Sequence, residues 1–589
     1  MNPTEQYTWD LSHLYPSTEE WEKDRHEIEA LLKQIVAKKG TITTSARNLL
    51  ETLTLMDQLG IKLERAASYA KMKFDADMSN AAAKKDYEKL DILYTKISSA
   101  LSFYEPELLQ MQPETFHQYI EELPELETYR FMFEKLFQMK AHILTPAEEE
   151  ILSQMGALGG TFEKIYDDLT VNDLKYPEIE DDTGQKIIAN EAHYRKALNS
   201  RDRAFRARFF QALLNTYGSS INSITSIIYG NIRYHAFLAK TRKYASSREM
   251  ALQQNHIPIH VYDSLIETVR SNVHQLQRYL DLRKRKLGYP DLHFYDLFVP
   301  FTKNVDKTYS FEEARETVLA ALSILGEEYT KVLKQAFTER WIDVYPKKGK
   351  VSGAYANGVY GVHPYSLLNF TGTLDDLFTM AHELGHVMHS YYSNLHQPYV
   401  NADYVIFTAE VASTVNEYFL YRYLLNQATD PEERNYLLSM HLDSIRSTLY
   451  RQAFFADFEM QMHQLVAEET PLTPELLCQK YHGLYEYYHG PDFTIDRELT
   501  YEWARIPHFY RPFYVYQYAT GISAAICLAQ QIEQQKEGAL EAYLHFLTTG
   551  GSDYPINLLK KAGVDMTSSG PVLAAIDDFA SCLDLLETT

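Results

Sequence analysis

Cysteine is scarce in this chain of 589 residues. Its three cysteines, Cys478, Cys527 and Cys582, are far apart and form no C-x-x-C pair, which argues against a disulfide framework and against a thiolate metal site. Long apolar runs are also missing, since none approaches the ~18 to 20 residues of a membrane span. The N-terminus lacks the basic start and apolar stretch of a secretory signal. We therefore expect a soluble, cytoplasmic protein without a membrane partner.

Basic residues are fewer than acidic residues in this chain. The chain has 57 Lys and Arg against 80 Asp and Glu, a net charge of -23. Such a surface repels nucleic-acid phosphates and anionic lipids, so nucleic acid is excluded as a partner. A solvated acidic surface also keeps a protein soluble, and the charge says little more about function.

Glycine is absent between Gly60 and Gly156, where apolar residues recur at helical spacing. A different pattern follows at 169–189, where alternating residues flank an Asp-Asp-Thr-Gly turn and predict a β-hairpin. Helical spacing then resumes. We expect a mainly α protein with an N-terminal helical lobe at 1–200, including the hairpin, and a second, mostly helical region at 201–589.

Several glycines occur close together at 349–361 and predict turns and short strands. The next segment, Tyr365 to Phe370, is a candidate strand. Thr373 and Asp376 then form a capping pattern that predicts the start of a helix.

That predicted helix carries His382-Glu383-Leu384-Gly385-His386. Its two histidines are four residues apart, so both imidazoles leave one helix face within reach of a single ion. Glu383 lies beside them, where it could take a proton from water. A random chain of this length would contain H-E-x-x-H about one time in twenty, so the motif is suggestive without being conclusive.

The next predicted helix, Val405 to Leu425, offers a third ligand. Its polar residues at i, i+3, i+4 and i+7 form one stripe: Glu410, Ser413, Thr414 and Glu417. We assign Glu410 as the ligand and Glu417 as the carboxylate that orients a ligating histidine. The alternative is a solvent-exposed polar face. His389 is expected to be an ordinary helix residue, because two histidines and one carboxylate complete the set.

Further segments join these two in resembling the oligoendopeptidase F family, a bacterial branch of the thimet-oligopeptidase-type metallopeptidases. The matching segments are Phe378–His389, Phe407–Glu417, Gly353–Ala356, Leu367–Phe370, Ile506–Tyr510 and Phe513–Tyr518. The resemblance implies a two-lobed, clam-like helical fold with a deep central channel and a small β component near the active site. It also implies one Zn²⁺ held by His382, His386 and Glu410, Glu383 as general base, and short peptides as substrates.

The expected reaction is hydrolysis of internal peptide bonds of short oligopeptides by metal-activated water, with Glu383 moving the proton. A tyrosine-rich segment near the C-terminus supplies candidates for the rest of the site. We expect His508 and Tyr516 to stabilise the oxyanion and Tyr510 and Tyr514 to contact substrate. Packing of these tyrosine rings in a helix interface is the alternative.

Substrate backbone is held most simply by addition to a strand edge. We expect Ser366 to Phe370 to provide that edge and Asn369 to bond a substrate carbonyl. Asparagine at the end of a strand is, however, equally typical of a turn.

Two other functions remain open. A zinc exopeptidase would need cations to hold the terminal carboxylate of its substrate, and Arg505 and Arg511 are candidates. A non-catalytic peptide-binding protein would be expected to lack Glu383, which is present. Nothing in the sequence sets the oligomeric state.

Overall fold

A computed structural model describes residues 5–302 and 307–588, and most of these residues are helical. The strands are only two or three residues long. The chain is therefore mainly α with small sheets, as the sequence predicted.

The helices follow one another along almost the whole chain. The first thirteen are α1 (Thr18–Val36), α2 (Ala46–Ala76), α3 (Ala81–Ala100), α4 (Tyr104–Leu108), α5 (Pro113–Glu122), α6 (Arg130–Met139), α7 (Pro146–Asp167), α8 (Glu191–Leu198), α9 (Arg203–Ser219), α10 (Ile221–Thr241), α11 (Ser247–Gln253), α12 (Ile259–Ser271) and α13 (Val273–Leu287). The others are α14 (Phe311–Ala321), α15 (Glu327–Thr338), α16 (Leu374–His396), α17 (Tyr399–Ala402), α18 (Ile406–Gln427), α19 (Pro431–Ile445), α20 (Arg451–Ala467), α21 (Pro474–His489), α22 (Tyr516–Glu533), α23 (Ala539–Leu547), α24 (Pro555–Lys561) and α25 (Gly570–Glu587). A π-helical turn, Arg446–Tyr450, joins α19 to α20.

Within the described residues, short strands form three small sheets. The strands are β1 (Glu178–Glu180), β2 (Lys186–Ile188), β3 (Leu292–His293), β4 (Ile342–Asp343), β5 (Tyr355–Asn357), β6 (Tyr365–Leu367) and β7 (Phe493–Thr494). Strands β1 and β2 pair antiparallel as a hairpin inside the predicted interval 169–189, and β3 pairs parallel with β7. The hairpin turn needs Gly184, whose φ is +82°, and the Asp181 carboxylate accepts hydrogen bonds from the N–H groups of Thr183 and Gln185.

The third sheet corrects an expectation about substrate binding. Its strand order is β4-β6-β5, with β6 parallel to β4 and antiparallel to β5. The segment Ser366 to Phe370 therefore provides no open edge, and that prediction was wrong. The physical reason is burial: Tyr365 and Leu367 are fully enclosed in a core formed with α1, α2 and α3. Strand β5 is an edge strand instead.

Packing divides the chain into two compact units. The first comprises Met1–Ala141, Lys307–Leu424 and Leu528–Val564, and the second comprises His142–Asp306, Leu425–Cys527 and Asp565–Thr589. Contacts thus group segments that are distant in sequence, whereas the predicted regions 1–200 and 201–589 are continuous stretches.

Two smaller findings concern the cysteines and the helices. The cysteines at 478, 527 and 582 form no disulfide bond. In the described part of the chain, every helix is too short or too polar to cross a membrane.

Candidate metal centre

Helix α16 begins where the sequence predicted. The Thr373 hydroxyl accepts a hydrogen bond from the Asp376 N–H at 3.1 Å, and the Asp376 carboxylate accepts one from the Thr373 N–H at 3.0 Å. Two backbone N–H groups at the start of the helix are thereby satisfied. About two turns further on, His382 and His386 leave the same face, and their Nε2 atoms lie 3.2 Å apart.

Helix α18 brings a carboxylate to the two imidazoles. The Glu410 Oε2 atom lies 3.4 Å from the His382 Nε2 atom and 3.6 Å from that of His386. Three potential ligand atoms therefore converge on one point, two from histidines four positions apart on α16 and one from Glu410, which is 24 positions after His386.

These separations fit a tetrahedral metal ion. Bonds of about 2.0 to 2.1 Å at tetrahedral angles place two ligand atoms about 3.3 to 3.4 Å apart. The three separations of 3.2, 3.4 and 3.6 Å bracket that value. Two imidazole nitrogens and one carboxylate oxygen are also the ligand set of hydrolytic zinc sites. The donor set and its spacing therefore suit Zn²⁺.

The close contact of α16 with α18 depends on Gly385. A Cβ atom at this position would lie 2.5 Å from the Ser413 Cα atom and 2.7 Å from the Ala412 carbonyl oxygen, both in the backbone of α18. Asn416 of α18 also donates from its side-chain nitrogen to the Ala381 carbonyl at 3.1 Å, and its oxygen accepts from the Tyr329 hydroxyl at 2.9 Å. The two helices are therefore held at the distance that Glu410 needs.

Glu417 orients His382. Its carboxylate lies 2.5 Å from the His382 Nδ1 atom, so Nδ1 carries the proton and Nε2 is directed to the centre. Burial alone would lower the pKa of His382, but the hydrogen bond and charge of Glu417 raise it to about 9. Burial and the nearby His382 lower the pKa of His386 to about 4. A cation bound here would displace the second proton of His382.

Glu383 lies beside the three converging residues and is only 8% exposed. Burial raises its pKa to about 7, with the carboxylates of Glu410 and Glu417 adding to the shift and His382 opposing it. A carboxyl group with a pKa near neutral pH can both accept and return a proton during one turnover.

Two other polar residues of these helices have defined positions. Ser413 donates from its hydroxyl to the Glu410 Oε2 atom at 3.2 Å, which orients that carboxylate. The His389 ring stacks on Tyr404 with ring centroids 3.7 Å apart, and burial lowers its pKa to about 3. His389 is a packed, neutral side chain and does not belong to the converging group.

The predicted tyrosine-rich segment belongs to the second unit, whereas the three converging side chains, His382, His386 and Glu410, belong to the first. In the second unit, the His508 ring lies 6.0 Å from the ring of Tyr514 and 6.2 Å from that of Tyr518. Tyr518 was not singled out in the sequence, although its i+4 spacing from Tyr514 was visible. Tyr516 is instead buried against Tyr262, with centroids 5.1 Å apart.

Tyr510 and Asn369 are both engaged with other parts of their own units. Tyr510 is buried against Tyr166, with ring centroids 4.6 Å apart. Asn369 donates to the backbone carbonyls of Val351 and Gly353 at 3.0 and 2.7 Å. The substrate roles of Tyr510 and Asn369 remain predictions, and the Asn369 amide nitrogen already holds the neighbouring loop.

A second group of metal-type side chains lies in the second unit: His441, Asp578 and Cys582. The His441 Nε2 and Asp578 Oδ2 atoms are 2.5 Å apart. That is a hydrogen-bond distance, well below the ~3.3 Å between two ligands of one zinc ion. We therefore assign this pair as hydrogen-bonded rather than metal-binding.

Some residues that shape the centre gave little signal in the sequence. Asn416 and Tyr329 form the hydrogen-bond chain behind the two histidines. Asn416 stands among apolar residues of α18, and Tyr329 is 87 positions away from it in sequence. Gly385 stands inside the H-E-x-x-H motif, where glycine in a helix interior suggests a close backbone approach.

Comparisons with known proteins identify the family of this chain. The profile of peptidase family M3 matches residues 197–578, and that of oligopeptidase F matches residues 107–176. The oligopeptidase PepF of Bacillus subtilis (strain 168) is 40% identical over 580 residues, which cover 98% of this chain and 87% of that protein. The group B oligopeptidase PepB of Streptococcus agalactiae is 38% identical over 583 residues, covering 99% and 97%.

Solved structures of similar proteins also match this chain over almost its whole length. The crystal structure of oligoendopeptidase-F from Enterococcus faecium is 35% identical with a TM-score of 0.76, covering 97% of this chain and 99% of that one. A Chlamydophila abortus protein is 36% identical with a TM-score of 0.93, covering 100% and 99%. Together, the profile match over most of the chain and the near full-length relatives show that this chain belongs to peptidase family M3, in its oligoendopeptidase F branch.

Proposed function

We propose that this protein is a zinc-dependent endopeptidase that hydrolyses internal bonds of short peptides. The observation that carries the proposal is the convergence of His382, His386 and Glu410 at separations suited to one tetrahedral ion, with Glu383 beside them. Cobalt or manganese could use the same ligands, but neutral nitrogen donors with one carboxylate favour zinc. The absence of disulfides is compatible with a cytoplasmic location, which we include in the proposal.

In this proposal His382, His386 and Glu410 hold the ion, which when bound supplies a Lewis acid that polarises a carbonyl and lowers the pKa of water. Glu383 accepts the proton of the attacking water and returns it to the leaving amine. Its pKa of about 7 leaves both forms accessible at neutral pH. Glu417 keeps the His382 ring in one tautomer throughout.

We assign the oxyanion contacts to His508 and Tyr516, as the sequence suggested. Burial, followed by the charge of Arg511, lowers the pKa of His508, so its ring is neutral at neutral pH. Burial raises the pKa of Tyr516, so its hydroxyl keeps its proton. Both side chains are thus in the state that can donate a hydrogen bond without adding charge. Tyr510 and Tyr514 complete the proposed substrate contacts.

Strand β5 is our candidate for holding the substrate backbone. It is an edge strand of its sheet, paired only with β6 among the described strands. The chain just after β5 packs on α16, because a Cβ atom at Gly358 would lie 2.9 Å from that of Ser390. An extended peptide added to β5 would therefore run beside the helix that carries the histidines.

The surroundings of two arginines favour internal over terminal cleavage. Arg505 donates from Nε and Nη2 to both oxygens of Glu191, and the Tyr194 ring lies 4.0 Å from its guanidinium. Arg511 is paired with Glu163 at 3.2 Å. Each guanidinium already has a carboxylate partner within the protein, so neither is unpaired and ready to bind the terminal carboxylate of a substrate.

Metal analysis and peptide digestion of the wild type and of Glu383→Gln test the proposal. We expect about one zinc ion per chain in both proteins and a loss of activity of roughly 10²- to 10⁴-fold in the variant. Glu328→Gln is a control, because Glu328 lies in the same unit and is 82% exposed. Full activity of Glu383→Gln, or a wild type without stoichiometric metal, would contradict the proposal.

Product masses from a nested set of synthetic peptides separate the two modes of cleavage. Internal cleavage gives fragments whose sizes change with the position of the preferred bond. Release of a constant dipeptide or single residue from one end would instead identify an exopeptidase.

A further inference from the structure

A small cavity lies within the second unit, away from the residues discussed so far. Its volume is about 20 Å³. One wall is the π-helical turn Arg446–Tyr450, and the others come from α13, α20, α21 and the segment after β3. π-helical turns interrupt regular helices at an energetic cost and occur frequently at functional sites.

The polar groups that face this cavity are cationic or neutral. Its lining residues are Leu276, Phe294, Leu297, Arg446, Tyr450, Arg451, Phe454, Tyr485, Tyr488 and His489. None of these described residues carries a carboxylate. Tyr485 and Tyr488 direct their hydroxyls to Glu502 and Asp457. The polar groups left for an occupant are those of Arg446, Arg451 and His489 and the buried Tyr450 hydroxyl, which has no hydrogen-bond partner among the described residues.

Both arginines have unused hydrogen-bond donors. Arg446 donates from Nε to Asp443 at 3.0 Å, and its two terminal nitrogens bond no other described residue. Arg451 donates from Nη2 to Glu502 at 2.5 Å and makes no second hydrogen bond within the described chain. Its guanidinium lies over the rings of Phe294 and Phe455, which cannot accept its remaining N–H groups as a carboxylate would.

A count of charges around the cavity leaves one positive charge without a partner. The fully buried Arg283 and the cavity residue Arg446 share a single carboxylate, Asp443, at 3.5 and 3.0 Å. On the other side, Arg451 and Arg505 are matched by two carboxylates, those of Glu502 and Glu191. The Asp296 carboxylate also acts on Arg283, but it is paired with Arg206 and Arg203, and Arg203 is paired with Asp291 as well. Among the described residues, these four arginines thus face three carboxylates, which leaves an excess of one positive charge on the Arg283 and Arg446 side. A buried, uncompensated charge is costly, and a bound counter-ion removes that cost.

His489 contributes a neutral imidazole. Burial, followed by the charges of Arg446 and Arg451, lowers its pKa to about 3. Its Nδ1 atom is buried without a hydrogen bond of ordinary geometry. The ring therefore adds a polar group but no charge of its own at neutral pH.

We propose that this cavity binds one monatomic anion, chloride under ordinary conditions, between Arg446, Arg451 and His489. A volume of about 20 Å³ holds one water-sized particle, which excludes sulfate, phosphate and the carboxylate of a peptide. Unused guanidinium N–H groups and the unmatched charge favour an anion over water, because water would leave that charge unchanged. The bound ion would brace the π-helical turn against α21.

Thermal unfolding of the metal-loaded enzyme tests this binding. Sodium chloride replaces sodium gluconate at constant ionic strength, so that general screening is unchanged. We expect a saturable rise in Tm with chloride and with bromide. Identical melting in gluconate and chloride would overturn the proposal.

Substitutions test whether the stabilising chloride binds in this cavity. Arg446→Gln should shift the midpoint of the chloride titration to concentrations about tenfold higher or more, because charge-assisted hydrogen bonds are lost. Arg248→Gln is the control: Arg248 is an arginine of the second unit that, like Arg446, is paired with one carboxylate, here Asp263, but it is not in the cavity lining. A chloride titration of Arg446→Gln that matches the wild type would contradict the assignment.

Bromide-soaked crystals of the wild-type protein test directly whether the anion binds in this cavity. We expect anomalous density within hydrogen-bond distance of the Arg446 and Arg451 guanidinium groups. Bromide found only elsewhere on the protein, or water at this position, would overturn the proposal.

Discussion

At the scale of single residues, the metal centre is controlled by which nitrogen of His382 carries a proton. Glu417 holds the proton on Nδ1 and leaves the lone pair of Nε2 directed to the centre. Without that carboxylate the ring could rotate or change tautomer, and either change removes one ligand. Glu417 should therefore matter for metal affinity although it is not itself among the three proposed ligands.

Glu417→Gln should weaken metal binding by about 10- to 100-fold, because an amide is a poorer acceptor for the His382 N–H. Competition with a chelator of known affinity measures the effect. Glu328→Gln, an exposed change in the same unit, should leave the affinity unchanged. Equal affinities for Glu417→Gln and the wild type would refute the orienting role.

Tyr516→Phe tests the oxyanion assignment. We expect kcat to fall by about 10²-fold with the metal still bound, since one hydrogen bond to the developing charge is lost. Tyr543→Phe is a suitable control, because Tyr543 is also buried but lies in the first unit. An unchanged kcat for Tyr516→Phe would exclude Tyr516 as a donor and leave packing against Tyr262 as its role.

At the scale of elements, the centre depends on how closely α16 approaches α18. Two histidines on one helix are positioned by the helix itself, but the Glu410 carboxylate reaches them only if the backbones nearly touch. Gly385 makes that approach feasible, and the hydrogen bond from Asn416 to the Ala381 carbonyl maintains it.

Gly385→Ala should separate the two helices, since the added methyl group would meet backbone atoms of α18 at 2.5 and 2.7 Å. We expect a lower Tm and loss of bound metal, measured by thermal unfolding and metal analysis. Gly483→Ala is the control: Gly483 lies inside α21, and no neighbouring atom lies within 4 Å of its added methyl group. There the substitution should be neutral or slightly stabilising. A Gly385→Ala protein that keeps its metal and its Tm would contradict this account.

At the scale of the whole molecule, one buried carboxyl group links stability to pH. Glu459 is fully buried, and its one hydrogen bond in the described chain is accepted from the Phe513 N–H at 2.7 Å. Burial raises its pKa from 4.5 to about 8, with the Phe513 N–H opposing the shift. The folded protein therefore holds a proton that the unfolded chain releases between these two values.

This group's contribution to stability should be complete below about pH 4.5 and be lost as the pH rises towards 8. Glu459→Gln keeps an acceptor for the Phe513 N–H without a titrating proton. The Tm of this variant minus that of the wild type should therefore increase from pH 5 to pH 8, which thermal unfolding at a series of pH values would measure. Glu486→Gln, at a 65% exposed position in the same unit, should show no such trend. A constant difference for Glu459→Gln would disprove the burial effect.

The sequence by itself determined the features that depend on local spacing. The helical character, the Thr373 cap and the common face of His382 and His386 follow from side-chain periodicity along one element. The stripe on α18 placed Glu410 and Glu417 in the same way. These predictions agree with the structure because neighbours in a helix are neighbours in sequence.

Tertiary structure alone decided the relations between distant segments. It placed β6 in the centre of its sheet and gave Arg505 the carboxylate of Glu191 as a partner. It also assembled two units from three separate stretches each. Periodicity reveals which face of an element is buried but not which element covers it, because that choice depends on packing between residues far apart in the chain.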